Sequence, residues 1–142
     1  MRRPNGENMG EVHVRVRLSN AGDIERVHQG LATMNQVRGC EVDALVDTGS
    51  TRSVIPAEIV ASLGLTLVDT AVGRLGDGSS VSVGICSAVG FEIMGRRTFE
   101  EAYVMGKEIL IGQTTLEATD LLVDCKDQKV IGKHAEGPIF RL

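Results

Sequence analysis

Apolar and polar positions alternate from the start of the chain: Val12, Val14, Val16 and Leu18 are separated by His13, Arg15 and Arg17. That period of two predicts a strand with one buried face. Between Ala21 and Gln36 the spacing lengthens, with Ile24, Val27, Leu31 and Met34 three or four apart and Asp23 near the start. A short helix or helical loop interrupted at Gly30 fits this stretch, and a long irregular surface loop is the alternative. Strand character returns over Glu41 to Val46 and stops at Asp47-Thr48-Gly49. Pro56 suits the first helical position, Ile59, Val60 and Leu63 supply one apolar face, and Gly64 suits a left-handed end, so a two-turn helix is expected before a short strand at 65–68.

The second half reads as hairpins. Val72 to Gly84 forms two extended pieces around Gly76-Asp77-Gly78, and Asp-Gly is a strong turn signal. Strands are expected at Ile85 to Met94 and Arg97 to Met105, in an antiparallel meander. The apolar run Ile109-Leu110-Ile111 ends at Gly112. Thr114 and Glu117 then have capping-box spacing for a short helix over Thr115 to Thr119. Leu121 to Asp124 and Lys129 to Ile131 predict a closing hairpin, and the chain ends on Pro138-Ile139-Phe140-Arg141-Leu142. Two stretches, Val42 to Leu67 and Ile109 to Ile131, share one pattern of apolar strand, turn, short helix and strand.

With 142 residues, 17 glycines and 42% hydrophobic content, the chain is expected to form one domain over 11–142, preceded by a flexible arm over 1–10. The fold class expected is all-β, mainly antiparallel, with two short helices. Aromatic content of 3% and a net charge of -4 supply neither stacking platforms nor a basic footprint, so nucleic acid is not an expected partner. No apolar run approaches spanning length, which leaves a membrane out and makes the cytoplasm the default. Cys40, Cys86 and Cys125 are odd in number and widely spaced, as buried free thiols would be. His13, His28 and His134 lack metal-ligand spacing and read as structural or solvated.

The candidate chemistry lies at Asp47. An apolar run, Ala44-Leu45-Val46, delivers a carboxylate next to a core, and an unpaired buried carboxylate is costly. Asp47 is therefore expected in a partly solvated cleft or with a partner that shares the burden. A metal site built from Asp43, Asp47 or Asp124 with a histidine is a weak alternative, since Asp43 stands about 13 Å away along a strand.

The sequence Leu45-Val46-Asp47-Thr48-Gly49-Ser50, followed by a glycine-tipped hairpin and then by Leu110-Ile111-Gly112 with a short helix, resembles the retropepsin-like aspartic proteases over residues 11–131. The stretch from Asn20 to Arg38 exceeds that of the compact viral enzymes and looks like the bacterial members. The resemblance implies a closed β-barrel, no cofactor and no metal, and peptide or protein as substrate. It implies catalytic roles for Asp47, Thr48 and Gly49, with Thr48 bonding across a dimer. A flap at Leu75, Gly76, Asp77 and Gly78, and contacts from Ser50, Val54 and Ile111, would bind the substrate. Ser50 has a hydroxyl available to donate to Asp47. Such chemistry needs two carboxylates sharing a proton, and the chain has one Asp-Thr-Gly, so a homodimer is expected. A catalytically silent dimeric module used for protein binding is the alternative.

Overall fold

The computed structural model describes residues 10–142. The expected arm therefore lies, apart from Gly10, outside the described residues. β1 (His13–Asn20) keeps the alternation, with Val16 and Leu18 buried and His13, Arg15 and Arg17 exposed. At its end the alternation stops, because Ser19 and Asn20 are buried too. Asn20 is satisfied on both sides: its Oδ1 accepts the Asp23 N–H at 3.0 Å, and its Nδ2 donates to the Leu63 carbonyl at 2.8 Å. One polar side chain thus caps α1 (Ala21–His28) and ties it to the end of a later helix.

Of the two options left open for residues 21–36, α1 realises the helix, but only to His28. Gly30, at φ +75, ends it, and a single 3₁₀ turn at Met34–Gln36 follows. Past Gly30, Leu31 and Met34 no longer share the face of Ile24, and both are exposed. Arg38 returns the chain to the helix, its Nε and Nη2 donating to the Asp23 carboxylate at 2.9 Å each.

β2 (Gly39–Val46) pairs antiparallel with β1, from Ser19 opposite Gly39 to His13 opposite Leu45. β3 (Val54–Ile55) leads into α2 (Ala57–Ser62), where Pro56 occupies the N-cap rather than the first helical position. Gly64 closes this helix at φ +65, and a side chain there would collide with the Arg38 guanidinium. β4 (Leu67–Arg74), β5 (Ser80–Ile93) and β6 (Arg96–Val104) form an antiparallel meander, but in fewer strands than expected: the short strand at 65–68 runs on into β4, and the second arm of the hairpin continues without a break through 85–93 as β5. β7 (Leu110–Ile111), α3 (Gln113–Ala118) and the hairpin of β8 (Leu121–Asp124) with β9 (Lys129–Gly132) complete the chain.

The seven-stranded sheet has the order β1-β2-β7-β3-β6-β5-β4, and β1 also pairs with β5. Six strands therefore close a ring, with β4 attached outside it. The sheet is mixed: β2–β7 and β3–β6 are parallel, and the other pairings are antiparallel. β5 makes closure possible because its first half pairs with β4 and its second half with β1, with a register irregularity between Cys86 and Val89 where the strand changes partner. The ring is filled by Leu18, Ile55, Phe91, Ile93 and Ile111, each fully buried. The thiols divide: Cys86 is buried and Cys40 half-buried, but Cys125 is exposed, in the turn between β8 and β9. The terminal stretch 138–142 lies in no strand and leaves Ile139, Phe140 and Leu142 exposed.

Candidate active site

Asp47 sits at the first position beyond β2, where the sheet still holds its main chain: its N–H donates to the Ile111 carbonyl at 2.9 Å. Beyond it the chain turns, with Ser50 N–H on the Asp47 carbonyl at 3.1 Å. Gly49 donates its N–H to Asp47 Oδ1 at 3.0 Å. Asp47 is half-buried, and Thr48 and Gly49 are exposed. Among the described residues no lysine, arginine or histidine pairs with this carboxylate.

Ser50 does not donate to Asp47. Its hydroxyl donates to the Arg52 carbonyl at 2.7 Å, because the loop curls back on itself and offers an unfilled acceptor two residues on. The other end of the loop is fastened to α3. Gln113 and Thr114 donate their N–H groups to the Ser50 and Thr51 carbonyls, each at 2.9 Å. Those bonds overturn the capping box expected at Thr114 and Glu117: Gly112 is the N-cap and no side chain caps the helix. The loop's own carbonyls satisfy its first amides, which frees the Thr114 hydroxyl to donate to Glu100 at 2.8 Å. Gly112 must lack a side chain, since a Cβ there would overlap the Arg52 carbonyl group and lie 2.9 Å from the Ser50 oxygen.

The glycine-tipped hairpin is β4–β5. Its turn is closed by Leu75 N–H on the Ser79 carbonyl at 2.8 Å and Gly78 N–H on the Leu75 carbonyl at 2.9 Å, with Gly78 at φ +86. Asp77 forms the turn rather than facing the loop: its Oδ1 accepts from the Ser79 hydroxyl and N–H, which hold its carboxyl below the usual range. A cavity of about 320 Å³ separates the hairpin from the loop, lined by Gly49, Ser50 and Thr51 on one side and by Val72, Leu75 and Val83 on the other. Val54 also lines it, although only 4% exposed, whereas Gly76, Asp77 and Gly78 do not. Ile111 is 0% exposed and belongs to the core instead of a pocket wall, because β7 is central in the sheet and that side chain points into the ring. Tyr103 and Met105 line the cavity without having been expected there. Tyr103, near the end of β6, is brought there by the pairing of β6 with β3 on one side and β5 on the other, and Met105 follows just after the strand.

A model of the aspartyl protease family matches residues 33–132, well over half of the chain. The chain belongs to this retropepsin-like aspartyl protease family. Comparison with curated proteins gave no significant match. The family stretch runs from the 3₁₀ turn through β9, so it takes in the Asp47 loop, the hairpin and α3, and leaves β1 and α1 outside.

Among the described residues no group of three or more histidine, cysteine or carboxylate side chains is arranged to hold a metal ion. Asp43 is engaged elsewhere, with Arg15 at 3.3 Å, and Asp124 caps the β8–β9 turn by accepting the N–H groups of Lys126 and Asp127 at 3.1 Å.

Proposed function

We propose that the protein is an aspartic endopeptidase that works as a homodimer, with Asp47 of each copy forming the catalytic pair and residues 11–142 acting as one domain. One observation carries this reading: a half-buried carboxylate, two residues before the cavity wall begins at Gly49, that accepts from one amide and meets no counter-ion among the described residues. A second carboxyl group sharing one proton is the partner that such a group lacks. Within the chain the other candidates are occupied, Asp43 by Arg15 and Asp77 by Ser79. A second copy supplies the same residue across a twofold axis, and the exposed Thr48 and Gly49 are available to meet it.

In that arrangement the ionised carboxylate takes a proton from a bound water, whose oxygen attacks the scissile carbonyl carbon. The protonated carboxyl donates to the carbonyl oxygen. Collapse of the tetrahedral adduct returns a proton to the leaving nitrogen and restores one proton to the pair. The roles belong to the pair and alternate between copies. Leu75 on the hairpin with Val54 below would receive apolar substrate side chains. Closure of the Gly76-Asp77-Gly78 tip would exclude water.

Placement in the cytoplasm is part of the same proposal, supported by three free cysteines. No described helix is long and apolar enough to cross a membrane. The test is cleavage of a peptide library between acidic and neutral pH, with sedimentation of the same samples. The wild type is expected to cleave as a dimer, and Asp47→Asn is expected to lose on the order of 10³-fold in kcat while keeping its fold. A folded wild-type dimer that cleaves nothing yet captures a protein partner equally well with Asp47→Asn would establish the silent binding module instead.

A further inference from the structure

Behind the Asp47 loop, hydrogen bonds run in one direction from the main chain to a carboxylate. Gly112 donates its N–H to Ser53 Oγ at 2.9 Å, and Ser53 Oγ lies 2.5 Å from Thr115 Oγ1. Thr115 Oγ1 donates to Glu100 Oε1 at 3.2 Å, where the Thr114 hydroxyl also arrives. Each hydroxyl has a single proton and Thr115 gives its own to the Glu100 oxygen, so the directions follow. The Thr115 proton goes to Glu100, the Ser53 proton goes to Thr115, and Ser53 is left to accept from Gly112. Ser53 and Thr115 are 1% and 0% exposed, so bulk water does not compete for these bonds.

The origin of this chain is the point at which the Asp47 loop is fastened. Just before Gly112, the Ile111 carbonyl accepts the Asp47 N–H; just after it, Gln113 and Thr114 hold the Ser50 and Thr51 carbonyls. The loop also faces β6 on the solvent side. Arg52 and Glu100 line one cavity of about 280 Å³ with Glu101, whose Oε1 is 3.7 Å from Arg52 Nη1.

We propose that Glu100 is a positioning residue for Asp47. As the terminal acceptor it orders the Thr115 and Ser53 protons, and this fixes Gly112 and the loop fastened on either side of it. The kinetic part of this inference rests on the protease reading, but its structural part is measurable without any activity. Misplacing a reacting group by an ångström lowers kcat by up to about 100-fold, whereas substrate binding need not change.

The experiment compares Glu100→Leu, Glu100→Gln and Thr115→Val with the wild type. It reads amide hydrogen exchange at Gly112 and Asp47, thermal unfolding, and kcat and KM on a peptide that the wild type cleaves. Thr115→Val is close to isosteric and guards against failure of Glu100→Leu to fold. Both are expected to speed exchange at the two amides and to lower kcat about 10-fold or more with KM within about twofold. Glu100→Gln, whose amide oxygen still accepts both hydroxyls, is expected to stay near wild type. Unchanged exchange in Glu100→Leu and Thr115→Val overturns the proposal, as does a rise in KM at constant kcat or a Glu100→Gln enzyme as impaired as Glu100→Leu. A wild type that cleaves no peptide overturns the protease reading, and the exchange rates then decide alone whether Glu100 holds the loop.

Discussion

The two stretches with a shared pattern, β2–loop–β3–α2 and β7–α3–β8, end up side by side. β2 and β7 run parallel, Leu45 opposite Leu110 and Val46 opposite Ile111. At the next position the first stretch presents Asp47 and the second presents Gly112. After Asp47 a loop of several residues intervenes before β3, and its Thr48 and Gly49 are exposed. After Ile111 the chain enters α3 at once, through a buried Gly112. One supersecondary pattern thus serves twice, once to carry a half-buried carboxylate into an exposed turn and once to grip the loop that bears it. Repetition of a local pattern says little about chemistry, which depends on which copy faces solvent.

Glycine substitutions separate these roles most sharply. Gly112→Ala would drive a methyl group into the Arg52 and Ser50 main chain, which cannot move without releasing α3 from the loop. A loss of about 2–3 kcal/mol in urea unfolding is expected, with activity falling as the fold does. Unchanged stability would mean that the two copies are not packed against each other as described. Gly49→Ala meets only Asp47 Oδ1, at 3.2 Å, and its backbone has no positive φ. Its unfolding midpoint should stay close to wild type while kcat on a cleaved peptide drops about 10-fold through the displaced carboxylate. Loss of stability without loss of kcat would assign Gly49 a packing role instead.

The smallest effect is expected away from the loop, where the second stretch meets the chain terminus. Asp120 is 6% exposed, and burial raises its pKa. The His134 ring at 2.8 Å, with main-chain N–H groups of Ile139 and His134, outweighs burial and leaves the carboxyl below its usual 3.8. A carboxylate with a folded pKa below its unfolded one contributes stability that is complete above the unfolded pKa and is lost as pH falls through the folded one. Asp120→Asn should therefore lower the melting temperature at neutral pH, and the gap from wild type should close below about pH 3.8. A constant gap down to pH 2 would remove the ionised Asp120 as its cause.

Where neighbours in sequence supply the reason, the chain was legible. The alternation in β1, the Asp-Gly turn, the left-handed Gly64 and the apolar run halted at Asp47 are each settled within a few residues, and each is found. The errors share a different cause. Ser50 has its hydroxyl on Arg52, Thr114 has its hydroxyl on Glu100, and the amides of α3 find carbonyls of a loop more than 60 residues earlier. A hydroxyl within reach of several acceptors takes the one that the fold leaves unfilled, and residue spacing does not reveal that.

By itself the sequence determined the alternation of β1, the turn at Asp77-Gly78 and the carboxylate that follows the apolar run of β2. Those properties follow from backbone sterics and side-chain chemistry over a few residues. Tertiary structure decided that β5 closes the ring by changing partner, that Tyr103 reaches the cavity and Ile111 does not, and that Glu100 receives the Thr114 and Thr115 hydroxyls. Ring closure brings together groups far apart along the chain, and burial then requires each polar group there to find a partner among whatever has arrived.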